Sequence, residues 1–433
     1  MSADTDADLP ADSELPGVLP DALRTELIAF RRDLHMHPEL GNQEFRTTAA
    51  IKARLEKAGL KPRVLSVGTG LICDIGTDTG TDIRTATGTD IGTTEGGRPA
   101  VGGRPQPPRP MLALRADIDG LPIPDTKTVP YRSTVPDRAH ACGHDVHTTV
   151  VLGAGLVLAE LDRAGLLPHP VRLIFQPAEE VLPGGAADAI DSGVLDGVGR
   201  ILAVHCDPKV DVGRIGIRPG PITSACDRLE VALDGPGGHT ARPHLTTDLV
   251  LAAAKVATDV PALVARRVDA RSGLAVTWGR IESGHACNVI PQHAELSGTV
   301  RCLDLAAWRS APDVVHAAID EVATLHRAKS QVNYVRGVPP VVNEPGITEL
   351  LRDAMTVRRG PYAIEDTEQS LGGEDFSWYL ERVPGSLARL GVRPLGDTTR
   401  RDLHCGDFDV DEGAITVGVE LFTAAALLDG HRP

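Results

Sequence analysis

The chain runs to 433 residues with a formal net charge of −15, and 42% of it is hydrophobic. That length exceeds the usual single core, so one large domain with a smaller companion is expected. The acidic balance argues against a nucleic-acid partner, whose footprint is a clustered basic face. Seven cysteines with no CxxC pair argue against a disulfide scaffold, and an aromatic content of 3% predicts an aliphatic core.

Residues 1–20, rich in Asp, Ala and Pro, read as a disordered tail. They lack the basic start and apolar centre of a signal peptide, and the longest apolar run, around 150–159, is too short to cross a bilayer. A reduced, cytoplasmic protein with no membrane association is the expectation. A helix is predicted over 21–32 with Asp21 near its N-cap, and a second over 46–58, with Ile51 and Leu55 on one face and Gly59 as C-cap. Between plausible strands at 70–75 and 111–114, residues 76–110 form a Gly/Thr/Asp repeat and then a Gly/Arg/Pro stretch, a composition that cannot bury a core and reads as an enlarged surface loop.

Helices over 148–164 and 186–192 alternate with short apolar runs that end where chemically capable residues begin. The run 112–114 leads to Asp117 and Asp119, 171–175 to Glu179 and Glu180, and 201–204 to His205. Reactive groups beyond strand C-termini predict an open α/β sheet with its ligand site there. After Pro219 the texture changes: alternating strands at 228–233 and 294–300 flank a helix over 247–265 that Pro261 is expected to break. An α+β unit inserted at 221–335, between the halves 21–220 and 336–433 of the main domain, is predicted.

Within His140-Ala141-Cys142-Gly143-His144-Asp145-Val146-His147, Cys142 and His144 are spaced so that thiolate and imidazole can converge from an extended segment or a tight turn. A buried Cys beside a structural His is the alternative for this pair taken alone. Glu179 and Glu180 follow the buried-looking strand; neighbours on an extended segment point opposite ways, so one is expected at a metal and the other at water. His205 and His404 read either as core histidines or as single ligands from distant loops. Asp117, Asp119, Asp145 and His147 suit the role of orienting such ligands.

Eight blocks in order resemble the M20 metallopeptidase family, in its amidohydrolase branch of hippurate hydrolases, N-acyl-amino-acid deacylases and auxin-conjugate hydrolases. They begin at 32–40, 114–122, 140–147 and 176–180 and continue at 237–244, 288–291, 298–301 and 372–376. The resemblance covers 25–425 and implies an open-sheet α/β metallohydrolase catalytic domain with an inserted α+β lid, which in the family often mediates dimerisation. Carried over by position, it implies that Cys142, His144, Glu180, His205 and His404 hold one or two divalent ions, zinc, manganese, cobalt or nickel. By the same matching Glu179 is the general acid/base, His239 polarises the substrate carbonyl, and Asn288 and Arg301 grip a free carboxylate. The activity it implies is cleavage of N-acyl amino acids, small-molecule substrates, by a homodimer or higher homo-oligomer. The alternatives are a dipeptidase or aminopeptidase, and a catalytically silent metal- or ligand-binding protein.

Overall fold

The computed structural model describes residues 16–77, 110–399 and 401–430. Most of the tail expected at 1–20 and of the loop expected at 76–110 lies outside these described residues.

The central sheet has eight strands, in the order Arg63–Val64, Leu71–Ile75, Val171–Gln176, Met111–Asp117, Val198–Asp211, Gly385–Arg393, Ile215–Ile217 and Ile364–Asp366. The four in the middle run parallel, with an antiparallel neighbour on either side. Near-continuous apolar sequence forms these inner strands because both faces are covered. The pleat divides their side chains. Leu112, Leu114 and Ala116 meet a layer that includes the helices Asp21–Met36, His144–Arg163, Pro345–Arg359 and Gly413–Asp429. Ala113 joins Ala186, Ala189, Phe376 and Tyr379 on the other face.

Four antiparallel strands make a second sheet in the order Ala275–Ser283, His293–Cys302, Ala225–Asp234 and Lys329–Val338. Leu229, Val231 and Leu233 alternate inward beneath the helices Leu249–Arg267 and Leu305–Leu325, giving this unit its own core. The opposite face is polar, with Glu230, Arg280, Glu295 and Asn333. The mixed α/β architecture agrees with the fold class expected from sequence, and no helix among the described residues is long and apolar enough to cross a membrane.

Three local expectations are corrected. The helix Leu249–Arg267 continues through Pro261. The lost backbone bond costs about 3 kcal/mol, but Val256, Val260 and Val264 are buried along one stripe and hold both halves to the sheet. The helix expected from 148 begins at His144, so His144 and His147 stand in its first turn. His205 lies inside a strand of 14 residues rather than beyond its end, because parallel pairing with Gly385–Arg393 carries the strand on, His205 opposite Arg389.

Where these two strands end, a Cβ on Gly391 would lie 2.1 Å from the Asp211 carbonyl oxygen and 2.9 Å from that of Arg214. Gly391→Ala is therefore expected to destabilise the fold by about 1–3 kcal/mol, seen as a lower urea midpoint at unchanged slope. An unchanged midpoint would mean that the strand ends part without cost.

Candidate metal centre

Gly143 turns the chain with φ +85°, and a Cβ there would come within 2.7 Å of the Cys206 sulfur, so a left-handed residue without a side chain is required. The turn aims Cys142 and His144 at one point. Cys142 Sγ lies 3.5 Å from His205 Nε2, and His144 Nε2 lies 3.8 Å from Glu180 Oε1 and 3.9 Å from Glu179 Oε2. Half-exposed His404 closes the cluster with Nε2 3.2 Å from Glu180 Oε1.

Neighbouring groups orient these side chains. His144 Nδ1 meets Asp119 Oδ1 at 3.1 Å, and Asp119 Oδ2 accepts the Glu180 backbone N–H at 3.0 Å. His205 Nδ1 donates to the Cys206 carbonyl at 2.8 Å. Each ring thus presents Nε2 to the cluster, the arrangement common to ligating histidines. His147 is different: Nε2 accepts the Cys206 N–H at 2.8 Å, which puts its proton on Nδ1, directed at Asp117 Oδ1 at 2.6 Å. Both nitrogens are thereby engaged. Asp145 turns away to Arg31 at 2.6 Å and His35 at 2.7 Å.

Glu179 and Glu180 do not sit on an extended segment, contrary to expectation. Ala178 adopts φ +57°, its N–H donating to Glu44 Oε1 at 2.8 Å and its carbonyl accepting from Gly185 at 2.9 Å. The resulting turn brings both carboxylates to the same cluster instead of opposite sides. His404 is likewise left-handed at φ +61°, pinned by its N–H on the Ala141 carbonyl at 2.8 Å. Unfavourable backbone at Ala178 and His404 is held by surrounding structure, a pattern that clusters at functional sites.

Electrostatics in this pocket is dominated by acids. Burial, with Glu374, Glu180, Asp375 and Asp117 around it, pushes the Glu179 carboxyl well above its usual range. Burial acts upward on Glu180 too, but the His404 hydrogen bond and the charge on His144 outweigh it and hold this carboxyl low. Burial pulls His205 down and keeps it neutral, as a ligand requires, whereas around His144 Asp117 and Asp119 overcome burial and raise the imidazole to about 10. His144 Nε2 is buried without a hydrogen-bond partner, 3.8 Å from Glu180 Oε1. An unpartnered imidazole nitrogen facing carboxylates across an acidic pocket fits a cation, and the mix of thiol, imidazole and carboxylate fits a borderline divalent ion. The triads Cys142/His144/His205 and Cys142/Glu180/His404 each keep their donor atoms within 4.8 Å of one another.

A cavity of 330 Å³ opens onto the cluster, lined by Cys142, Glu179, His205, His404 and, from the second sheet, Arg301, whose guanidinium donates to the Leu371 carbonyl. His239 and Asn288 stand apart from it. Gly238–His239 pairs with Val289–Ile290, and the Thr240 N–H reaches the Asn288 carbonyl at 3.2 Å, so the two are neighbours on the exposed surface of the inserted unit. Sequence reasoning gave no role to Arg115, which binds Asp117 at 2.8 Å, Asp375 at 2.7 Å and Gln176 at 2.9 Å beneath the cluster. The available signal was the block 372–376, whose acids Glu374 and Asp375 sit against Glu179. Arg389, also in the cavity wall, was missed because a single cation in an apolar strand carries no spacing signal.

Residues 113–428 match the model of peptidase family M20/M25/M40. The chain is 43% identical over 404 residues to a putative glutamate–cysteine ligase 2-3 of Rhodococcus jostii, covering 93% of this chain but 47% of that protein, so it spans about half the length of this relative. It is 36% identical to the N-acetyl-L-cysteine deacetylase of Bacillus subtilis, covering 91% of this chain and 85% of the deacetylase. Among solved structures, the YXEP protein of Bacillus subtilis, a dinuclear metal binding peptidase from the M20 family, superposes with a TM-score of 0.77 at 31% identity, over 95% of this chain and 99% of that one. The chain belongs to peptidase family M20/M25/M40 and is a hydrolase of that family.

Proposed function

We propose that this protein is a metal-dependent amidohydrolase that cleaves N-acyl amino acids into a carboxylic acid and a free amino acid. The observation that carries this reading is a cluster of buried Cys142, His144 and His205 with partly buried Glu180 and half-exposed His404, and with a second acid, Glu179, turned to the same point. Similarity to an N-acetyl-L-cysteine deacetylase supports the substrate class. One or two divalent ions are assigned to Cys142, His144, Glu180, His205 and His404. A bound ion of this kind polarises an amide carbonyl and brings the pKa of a water toward about 7.

Glu179 takes the proton released as water attacks the acyl carbon and delivers it to the departing nitrogen. A carboxyl raised by burial and neighbouring acids holds a proton long enough to deliver it. Asp119 fixes the His144 ring and, through the Glu180 N–H, the backbone of the adjacent acid. Arg301, with its planar fork at the cavity wall, is assigned to the free carboxylate of the substrate. His239 is exposed and lies outside this chain's own cavity, which supports the assignment that it polarises the carbonyl in the site of a second copy, with Asn288 beside it and the inserted unit as dimerisation lid.

The test is amino-acid release from acetyl-, benzoyl-, indoleacetyl- and long-chain acyl-amino acids and from unblocked dipeptides. Protein stripped of metal is expected to be inactive, and reloading with zinc, manganese, cobalt or nickel to restore cleavage of a blocked class. Cleavage of unblocked dipeptides alone would make it a peptidase, and silence with every metal a binding protein. Glu179→Gln is expected to lower kcat by about 10²–10⁴-fold with metal content unchanged by elemental analysis; loss of metal would reassign Glu179 as a ligand. Asp119→Asn is expected to weaken metal affinity by about 10–100-fold, measured by competition with a chelator, and an unaltered affinity would remove its orienting role.

A further inference from the structure

Arg389 occupies the middle of Gly385–Arg393, a strand buried along almost its whole length, and is only 6% exposed. Buried arginines are rare unless paired. The other buried cations among the described residues obey this rule: Arg31 holds Asp145 at 2.6 Å, Arg115 holds Asp375 at 2.7 Å, Lys127 holds Asp125 at 3.1 Å and Arg172 holds Asp74 at 2.6 Å. Among the described residues the Arg389 side chain has neither an ion pair nor a hydrogen bond. Asp207 and Glu374 act on it through space without contact. Its place is specific: it pairs in register with His205 and lines the same cavity as Cys142, Glu179 and Arg301.

Two arginines therefore face one small cavity, Arg301 from the inserted unit and Arg389 from the central sheet. A desolvated guanidinium with its donors unused is a receptor for a planar anion, best a carboxylate taken by both arms of the fork. We propose that Arg389 receives a second carboxylate of the substrate, so that the preferred substrates are N-acyl amino acids with two carboxylates. The second carboxylate comes either from an acidic amino acid or from an acyl chain that ends in a carboxylate. This selectivity rests on the amidohydrolase reading above, whereas the anion site itself does not.

The experiment compares metal-loaded wild type, Arg389→Gln and Arg389→Lys on N-acetyl-leucine, N-acetyl-glutamate and N-succinyl-leucine. Thermal shifts with glutarate are measured in parallel, with acetate as the control for a carboxylate at the metal. Wild type is expected to prefer one of the diacids, and which one identifies the side that bears the second carboxylate. Arg389→Gln is expected to lower kcat/KM for that diacid on the order of a hundredfold more than for N-acetyl-leucine. It should also abolish the extra stabilisation by glutarate, and Arg389→Lys, which keeps charge without the fork, should fall between. Equal fractional losses on all three substrates, no diacid preference in wild type, or a glutarate shift that survives in both variants would overturn the proposal. If wild type cleaves none of these amides the amidohydrolase reading fails, and the glutarate arm still decides whether Arg389 binds the anion. Should Arg389→Gln not fold, Arg389→Lys carries the same comparison.

Discussion

The Arg115 guanidinium, buried completely, joins the ends of two parallel strands through Asp117 and Gln176 to Asp375, 260 residues further along the chain. Its neighbour Glu374 stands 3.2 Å from the same group. Carboxylates at this density repel one another strongly in a low-dielectric interior, and a cation held on the opposite side of them from the solvent makes the arrangement tenable. The acids beneath the cluster are thereby balanced from below, while those above it, Glu179 and Glu180, are left to be balanced from the cavity.

The two sheets divide the labour. Parallel strands buried on both faces make a stiff floor whose C-terminal edge presents Asp117, Asp119 and the turn at Ala178, and His205 rises from within the same sheet. The antiparallel unit, with a core of its own, contributes Arg301 to the cavity and carries His239 and Asn288 on its surface. A rigid cluster on one unit with part of the cavity wall mounted on another suits chemistry in which a substrate must be admitted and then enclosed.

Much of this was legible in the sequence because it rests on local patterns. Strand runs that end in chemically capable residues foretold which end of the sheet carries the pocket, and the spacing of Cys142 and His144 allowed them to converge, from an extended segment or from the tight turn that the structure has. What escaped depended on partners distant in sequence. The direction of Glu179 and Glu180 follows from Glu44 and Gly185 fixing Ala178 in a left-handed conformation, and no feature of the acid pair itself contains that. The continuation of a strand past His205 comes from pairing with Gly385–Arg393, and survival of a helix through Pro261 from a buried valine stripe. Arg389 was invisible for the same reason: only the fold reveals that it lacks an acid.

The donors of the cluster leave the chain at four places, near 142–144, at 180, at 205 and at 404, so most of the polypeptide lies between the first and the last. An ion held by the proposed ligands would act as a reversible cross-link over a loop of that span, formed only when the chain is folded. Binding to the native state alone adds about 4 kcal/mol of stability when free ligand exceeds its Kd a thousandfold. Metal supply would then set part of the stability of the fold, so that depletion of the ion would weaken the folded state and not the chemistry alone.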